Sequence, residues 1–423
     1  MKPAGHIDPP AWMTAPTTSR VLAALHAGGV EARFVGGCVR DAVLGRAVMD
    51  IDIATPASPT RVTALLAAAG IKVVPTGVDH GTVTAVAAGD PFEITTLRED
   101  VATDGRWAEV AFTDDWTADA ARRDFTMNAM FCDPDGTVYD PFGGWSDLLA
   151  GRVRFVGDPG ARIREDALRL LRFFRFHAHY GQGDPDAAGL AAAASEAARV
   201  KALSAERVRT ELLRLLGAPD PVPVMEIMQT HEVLARISQD LARISQELME
   251  IETLALLIRI EGEMNEMADP LRRLGAVLNS GPNGAAAVAE GLRMSRQQVA
   301  RLAAMRQPPL HFAPDAPGPA LRAALYREGP QIVRDRLLLT AAARERGGYM
   351  LDRQGLAAAL AEIAAWTPQK LPIDGTDVQA LGVPRGPRVG RLLREVESWW
   401  IEHDFAPDRT ACLARLRDRV EAD

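Results

Sequence analysis

Cysteine is scarce: 423 residues contain three, Cys38, Cys132 and Cys412, far apart in the chain and never in a CxxC pair. That spacing excludes a disulfide scaffold and a cysteine-based metal site, so three reduced thiols are expected. The eight histidines show no ligand spacing. Aromatic residues make up 5%, and no apolar run approaches the roughly 18 residues of a membrane span. The opening MKPAGHIDPPAWM lacks the charged-then-apolar order of a secretory signal, so the cytoplasm is the expected compartment and no membrane is an expected partner. Positive charge is not in excess either, with 48 Lys and Arg against 56 Asp and Glu and a net charge of -8. This excludes a uniformly basic nucleic-acid coat while leaving room for a basic groove on an acidic body. What is present is a globular composition, 47% hydrophobic and 25% charged. At roughly 100 to 200 residues per domain, the length allows two to four domains with ample core.

The chain changes character near Gly151 to Gly160. Before it, β-branched stretches such as Ala32 to Val35, Ile51 to Ile53, Val73 to Val74, Val83 to Val86 and Phe92 to Leu97 alternate with Gly or Asp turns, which predicts a sheet with helices. After it, Ala, Leu, Arg and Glu recur at helical spacing, which predicts an α-helical remainder. Gly and Pro interrupt that pattern at Gly217 to Pro223, Pro308 to Pro319 and Pro368 to Gly375. The fold class is therefore α+β, a mixed-sheet head over 1–150 followed by three all-α regions: neck (151–217), body (218–325) and tail (326–423). Within the body, LARISQD at 234–240 is followed by LARISQE at 241–247. The resulting apolar stripe suits one amphipathic helix packed on the body, or a dimer seam.

The strongest chemical signal is RFVGGCVRDAVLGRAVMDIDIAT at 33–55. A strand runs into Gly36-Gly37, a helix-like stretch with Arg40 and Asp41 follows, and a second strand carries Asp50 and Asp52. Positions i and i+2 of a strand share a face, so the two carboxylates are expected together, with Met49, Ile51 and Ile53 on the other face. Oxygen ligands without His or Cys favour Mg²⁺. Two glycines before a helix let backbone approach a phosphate. Together these predict Mg²⁺-dependent phosphate chemistry. Glu93, on the alternating stretch FEITTL, and Asp124, beside Arg122 and Arg123, are rival candidates for a third carboxylate.

This arrangement resembles the head signature of class II tRNA nucleotidyltransferases and bacterial poly(A) polymerases, in the DNA polymerase beta superfamily. Further blocks agree in order and spacing: HGTV at 80–83, FEITTLR at 92–98, DGRWAEVAFTDDW at 104–116, RRDFTMNAMF at 122–131, DPFGG at 140–144, EDALRLLRFFRF at 165–176 and ERVRTELLRLL at 206–216. LPIDGTDVQALGVPRGPRVGRLL at 371–393 is also family-like. The resemblance implies a nucleotidyltransferase head, addition of C, C and A to tRNA 3′ ends from CTP and ATP, and Mg²⁺ on Asp50 and Asp52. It also implies phosphate contacts from Gly37, Arg40 and Arg123, with Arg172 and Arg175 in the nucleotide site, and structural support from Asp124, Glu206 and Arg207. Glu99 to Trp116 resembles the mobile loop of full CCA-adding members. A poly(A) polymerase, or an enzyme adding only CC or only A, shares the same head; no GRRF-like element in the first 33 residues and no long basic extension favour the tRNA enzyme. A silent RNA-binding relative is opposed by the retained Asp50, Asp52, Asp166 and Arg169.

Chemistry alone also speaks for the neck. Asp166 and Arg169 are three apart on an expected helix and join an acceptor to a planar fork of donors. Cytosine and adenine both show an amino donor beside a ring-nitrogen acceptor, whereas guanine and uracil show a carbonyl beside an N–H. An Asp-Arg edge therefore accepts C and A, and each buried mismatch with G or U costs about 1–3 kcal/mol. Steps of three drift about 60° around a helix, which would set Arg175 nearly opposite Asp166. Phe173, Phe174 and Phe176 are read as neck core.

Overall fold

The computed structural model describes residues 1–77, 81–104, 107–236, 250–308, 310, 313–315 and 318–422. It divides into two compact units, Met1–Ser245 and Gln246–Asp423.

The first unit is built on an eight-stranded sheet. Its strands are β1 (Pro3–His6), β2 (Arg33–Val35), β3 (Ile51–Thr55), β4 (Lys72–Gly77), β5 (Thr82–Ala87), β6 (Asp90–Thr96), β9 (Phe131–Cys132) and β10 (Thr137–Tyr139), while β7 (Arg98–Asp104) and β8 (Trp107–Phe112) pair separately. The sheet order is β1-β10-β9-β2-β3-β6-β5-β4. β3 and β6 run parallel, with Ile53 beside Ile94 and Asp52 beside Glu93. Phe34, Ile53, Phe92 and Ile94 are buried, and the helices Pro16–Ala27 and Pro59–Ala68 close one side of the sheet with Val21, Leu25, Val62 and Leu66. Within the stretch read as a mobile loop, β7 and β8 pair antiparallel, and Trp116 at its end is buried in the core.

The head passes into helices at Pro159–Glu165, Leu168–Tyr180, Ala187–Glu196, Ala205–Leu216 and Val222–Thr230. Phe173, Phe174 and Phe176 are buried as expected, Phe173 and Phe176 against Phe125 from the head and Phe173 also against Phe155. The duplicated heptads lie almost wholly outside the described residues.

Every element of the second unit among the described residues is helical, from Ile251–Glu263 to Arg409–Glu421. The expected interruptions separate Arg296–Met305 from Pro319–Glu328 and Arg353–Ala365 from Gly375–Ala380; the 325/326 boundary read between body and tail falls inside Pro319–Glu328. A buried ionic cluster lies in this unit. Arg272 and Arg273 donate to Glu261 at 2.8 and 2.9 Å, and Arg301 donates to Asp335 at 2.8 Å. The C-terminal helices close over Leu392, Val396, Trp400, Cys412 and Leu416. All three cysteines are free and buried, and no helix among the described residues is long and apolar enough to cross a membrane.

Candidate active site

A cavity of about 550 Å³ opens in the first unit, lined from the head by Gly36, Gly37, Arg40, Asp52, Arg123, Asp124 and Asn128. From the neck, Asp166, Arg169, Arg172, Arg175 and Arg207 line it as well. Ten of the expected site residues (Gly37, Arg40, Asp52, Arg123, Asp124, Asp166, Arg169, Arg172, Arg175 and Arg207) thus share one space. Asp50, Glu93 and Glu206 do not line it.

β3 begins at Ile51, so Asp50 stands in the bend before the strand and Met49 is 87% exposed. The expectation that both aspartates ride one strand, opposite Met49, does not hold. The charges are nevertheless close enough to act on each other. The Asp52 carboxyl is pushed up to about 6, first by burial, then by Glu93 and Asp50, with Arg123 pulling the other way. Glu93 owes its influence to register, because it sits beside Asp52 on the parallel neighbour. A half-buried carboxylate crowded by two others is a donor set that suits a hard divalent cation. Among the described residues, no group of three such side chains already converges as a preformed metal cluster.

Gly36 has φ 73°, a left-handed conformation that favours glycine, and a Cβ there would lie 3.4 Å from Arg123 Nη1. Gly37 opens the short helix Gly37–Val43. Arg123 is gripped through Nε and Nη2 by Asp119 Oδ2 at 3.2 and 2.8 Å. Burial pushes Asp119 up, but Arg123 and Arg122 outweigh it and hold the carboxyl below its ordinary value. Arg40 is held by Asp41 and by Asn128 Oδ1, the latter at 2.7 Å. Asp124 accepts from the Phe125 N–H, from Asn128 Nδ2 at 3.0 Å and from Arg172 Nε at 2.7 Å. Burial would raise its carboxyl, yet Arg172 and these hydrogen bonds pull it down. Its charge is paired with Arg172.

The neck departs from the expected continuous helix. One helix ends at Glu165 and the next begins at Leu168, with Asp166 between them at φ -148°. Asp166 Oδ1 accepts from the Leu168 N–H at 3.0 Å, and Oδ2 accepts from Arg207 Nη2 at 2.7 Å. Arg169 donates to Glu165 and to the carbonyls of Arg162 (3.2 Å) and Arg122 (3.0 Å). The aspartate and the arginine therefore hold separate partners across a turn. Because Asp166 precedes the helix, the wheel argument that set Arg175 opposite to it loses its premise, and both line the cavity.

Glu206 is exposed; the buried carboxylate of that helix is Glu211, which accepts from Arg175 Nε at 2.6 Å and lies 3.9 Å from Arg172. The clue was in the pattern: Glu211 falls between Val208 and Leu215 on the apolar stripe of Ala205–Leu216, where an acid needs a partner. Asp119, which also meets this network, carried the local signal of an acid three and four residues before Arg122 and Arg123, whereas Asn128 carried none.

Two family descriptions match the chain: "Poly A polymerase head domain" over residues 32–154 and "Probable RNA and SrmB- binding site of polymerase A" over residues 186–246. The chain is 32% identical to "CCA tRNA nucleotidyltransferase 1, mitochondrial" of Mus musculus, across 92% of this chain and 86% of that protein. It is 30% identical to the "CCA-adding enzyme" of Limosilactobacillus fermentum, across 95% of this chain and 96% of that protein. Among solved structures, the Bacillus stearothermophilus CCA-adding enzyme in complex with CTP is similar with a TM-score of 0.74 at 26% identity, covering 96% of this chain and 98% of that one.

Proposed function

The chain belongs to the family of class II CCA-adding enzymes and poly(A) polymerases, and from that premise we propose that it adds C, C and A to tRNA 3′ ends from CTP and ATP without a nucleic-acid template. The tRNA 3′-hydroxyl attacks the α-phosphorus of the nucleotide, a new phosphodiester forms, the α-β phosphoanhydride breaks and pyrophosphate leaves. The observation that carries this reading is the single cavity joining Asp52 of the head to Asp166 and Arg169 of the neck.

The family's chemistry calls for a divalent metal, and in this reading Asp50 and Asp52, with Glu93 alongside, would hold Mg²⁺. When bound, the ion lowers the pKa of the 3′-hydroxyl and offsets the triphosphate charge. Gly37, Arg40 and Arg123 hold the phosphates, and Arg172 and Arg175 complete the nucleotide site. Asp166 accepts from the amino group of C or A while Arg169 donates to the ring nitrogen, so the protein edge takes the place of a template base. Asp124, Glu211 and Arg207 keep these groups apart and in place. Residues 1–150 are the catalytic head, 151–217 the base-reading neck, and the helical remainder holds tRNA.

The test uses tRNA transcripts ending in the discriminator base, in C, or in CC, each incubated with a single NTP or with CTP and ATP together. The reading expects C on the first two, A on the third, and growth that stops at CCA. Continued A addition would make the protein a poly(A) polymerase, and arrest at CC would make it a partial adder.

A further inference from the structure

The neck helix Leu168–Tyr180 ends on a side chain that the nucleotide reading leaves without a role. Tyr180 donates its hydroxyl to Asp41 Oδ1 at 3.0 Å, reaching from the neck back to the head. Its ring carries two guanidinium groups, with Arg40 at 4.3 Å and Arg46 at 4.6 Å from the ring centroid. Phe176, one turn earlier, stacks on Tyr180 at 5.7 Å and meets Arg40 at 5.3 Å. Arg46 also donates to the carbonyl of His179, at 3.1 Å. The end of the neck helix is thus strapped to the residues just after Gly37 by one aromatic side chain.

What the strap holds is Arg40. Asp41 takes Arg40 Nε at 3.0 Å and Nη2 at 2.7 Å, and Asn128 takes Nη1 at 2.7 Å. A guanidinium has five N–H groups. Three are committed to these partners, leaving one N–H on each terminal nitrogen for a ligand in the cavity that Arg40 lines. An aromatic face and a bidentate carboxylate fix the plane of the fork, so those two donors come to a ligand already aimed. The Tyr180 hydroxyl in turn fixes Asp41. We infer that Tyr180 is a positioning residue for nucleotide binding: it sets Arg40 through Asp41 and through the stacked ring, without touching the nucleotide. The inference rests on the reading of this cavity as a nucleotide site.

The Arg40 end serves the triphosphate common to all substrates, so the effect of Tyr180 is blind to the base. A group that merely fastened the neck would change stability, turnover and tRNA use together. Positioning of Arg40 instead changes KM for nucleotide while kcat and KM for tRNA stay near their wild-type values.

The experiment measures steady-state addition of C and of A on matched tRNA transcripts, with thermal melts alongside, for Tyr180→Phe, Tyr180→Ala, Arg40→Ala, Asp41→Asn and the Asp41→Asn, Tyr180→Phe double variant. Tyr180→Phe keeps the ring stack and loses only the hydroxyl. It is expected to raise KM for CTP and ATP by the same factor, about three- to tenfold, as for one modest hydrogen bond. Tyr180→Ala is expected to raise both further, and Asp41→Asn with Tyr180→Phe to give less than the product of the single effects. If Arg40→Ala raises KM while Tyr180→Phe leaves it unchanged, the positioning inference is overturned and the nucleotide reading stands. If Arg40→Ala leaves KM for nucleotide unchanged, the reading of Arg40 falls first and the inference with it. Equal losses in kcat, tRNA KM and melting temperature, with no preference for nucleotide KM, also overturn it. Should Tyr180→Ala fail to fold, the Tyr180→Phe result decides alone.

Discussion

Replacing Asp52 by Asn should stabilise the metal-free protein, against the usual direction for a substitution inside a site. The Asp52 carboxyl is raised from 3.8 to about 6 by burial and by the charges of Glu93 and Asp50. A raised value in the folded state means that the native protein binds this proton more tightly than the unfolded chain does. The associated stability is fully present below about pH 4 and is lost as pH rises through about 6. At 1.36 kcal/mol per unit, a shift of this size corresponds to about 3 kcal/mol at neutral pH. The surrounding side chains can relax, so about 1–3 kcal/mol is the expected gain for Asn, which keeps the shape and drops the charge. Thermal or urea denaturation in EDTA at pH 4, 5, 6 and 7.5 measures it. The gain should be largest at pH 7.5, shrink between pH 6 and 4, and vanish at the acid end. A stability unchanged at pH 7.5, or a gain as large at pH 4, would refute the reasoning. Adding Mg²⁺ should then stabilise the wild type and leave Asp52→Asn nearly unmoved, because only a site that binds the ion gains from mass action.

Glu211→Ala strips Arg175 of its buried carboxylate partner and should cost about 3–5 kcal/mol in urea unfolding, with Glu206→Ala, at an exposed position, close to neutral as the control. Asp335→Ala should destabilise the second unit by a similar amount, read as earlier melting, because it leaves Arg301 and Arg272 short of a buried acceptor. tRNA affinity should fall steeply with salt despite the net charge of -8. If local arginines such as Arg207, Arg209, Arg214, Arg385, Arg388 and Arg391 neutralise even two or three phosphates, a fourfold rise in salt should weaken binding at least about tenfold. A flat titration would remove the electrostatic grip.

The parts of this fold visible before any coordinates are those where side-chain chemistry and backbone period coincide. β2, β3, β5 and β6 announced themselves because their β-branched residues pack on a sheet that buries Phe34, Ile53 and Ile94. β9 has two residues and β10 three, too few to show a period of two, and they exist because their neighbours pair with them. The stretch holding β7 and β8, rich in Asp, Gly and Trp, read as a loop by resemblance, and nothing in its residue pattern announced that the backbones pair over six registered positions. The break at Asp166 escaped because EDALRLLRFFRF contains no Pro or Gly. It depends on a hydrogen bond to the Leu168 N–H and on Arg207, 41 residues away, and a window of helical spacing cannot see a partner at that distance. The same holds for the site. Its arginines were recognisable from their blocks, and Asp119 holds Arg123 at a local spacing of four, but Glu211, which holds Arg175 from 36 residues away, is chosen by tertiary packing.

In the proposed mechanism a protein edge selects the base. Single-nucleotide incorporation of CTP, ATP, UTP and GTP by wild type, Asp166→Ala, Arg169→Ala and Arg123→Ala tests it directly. Losing one charged hydrogen bond should cost about 1.5–3 kcal/mol, roughly ten- to a hundredfold in kcat/KM. Asp166→Ala and Arg169→Ala should lose that much with CTP and ATP while UTP and GTP gain relative to them, and Arg123→Ala should slow all four alike. If Asp166→Ala still rejects UTP as the wild type does, base choice lies elsewhere and Asp166 serves only to anchor Arg207.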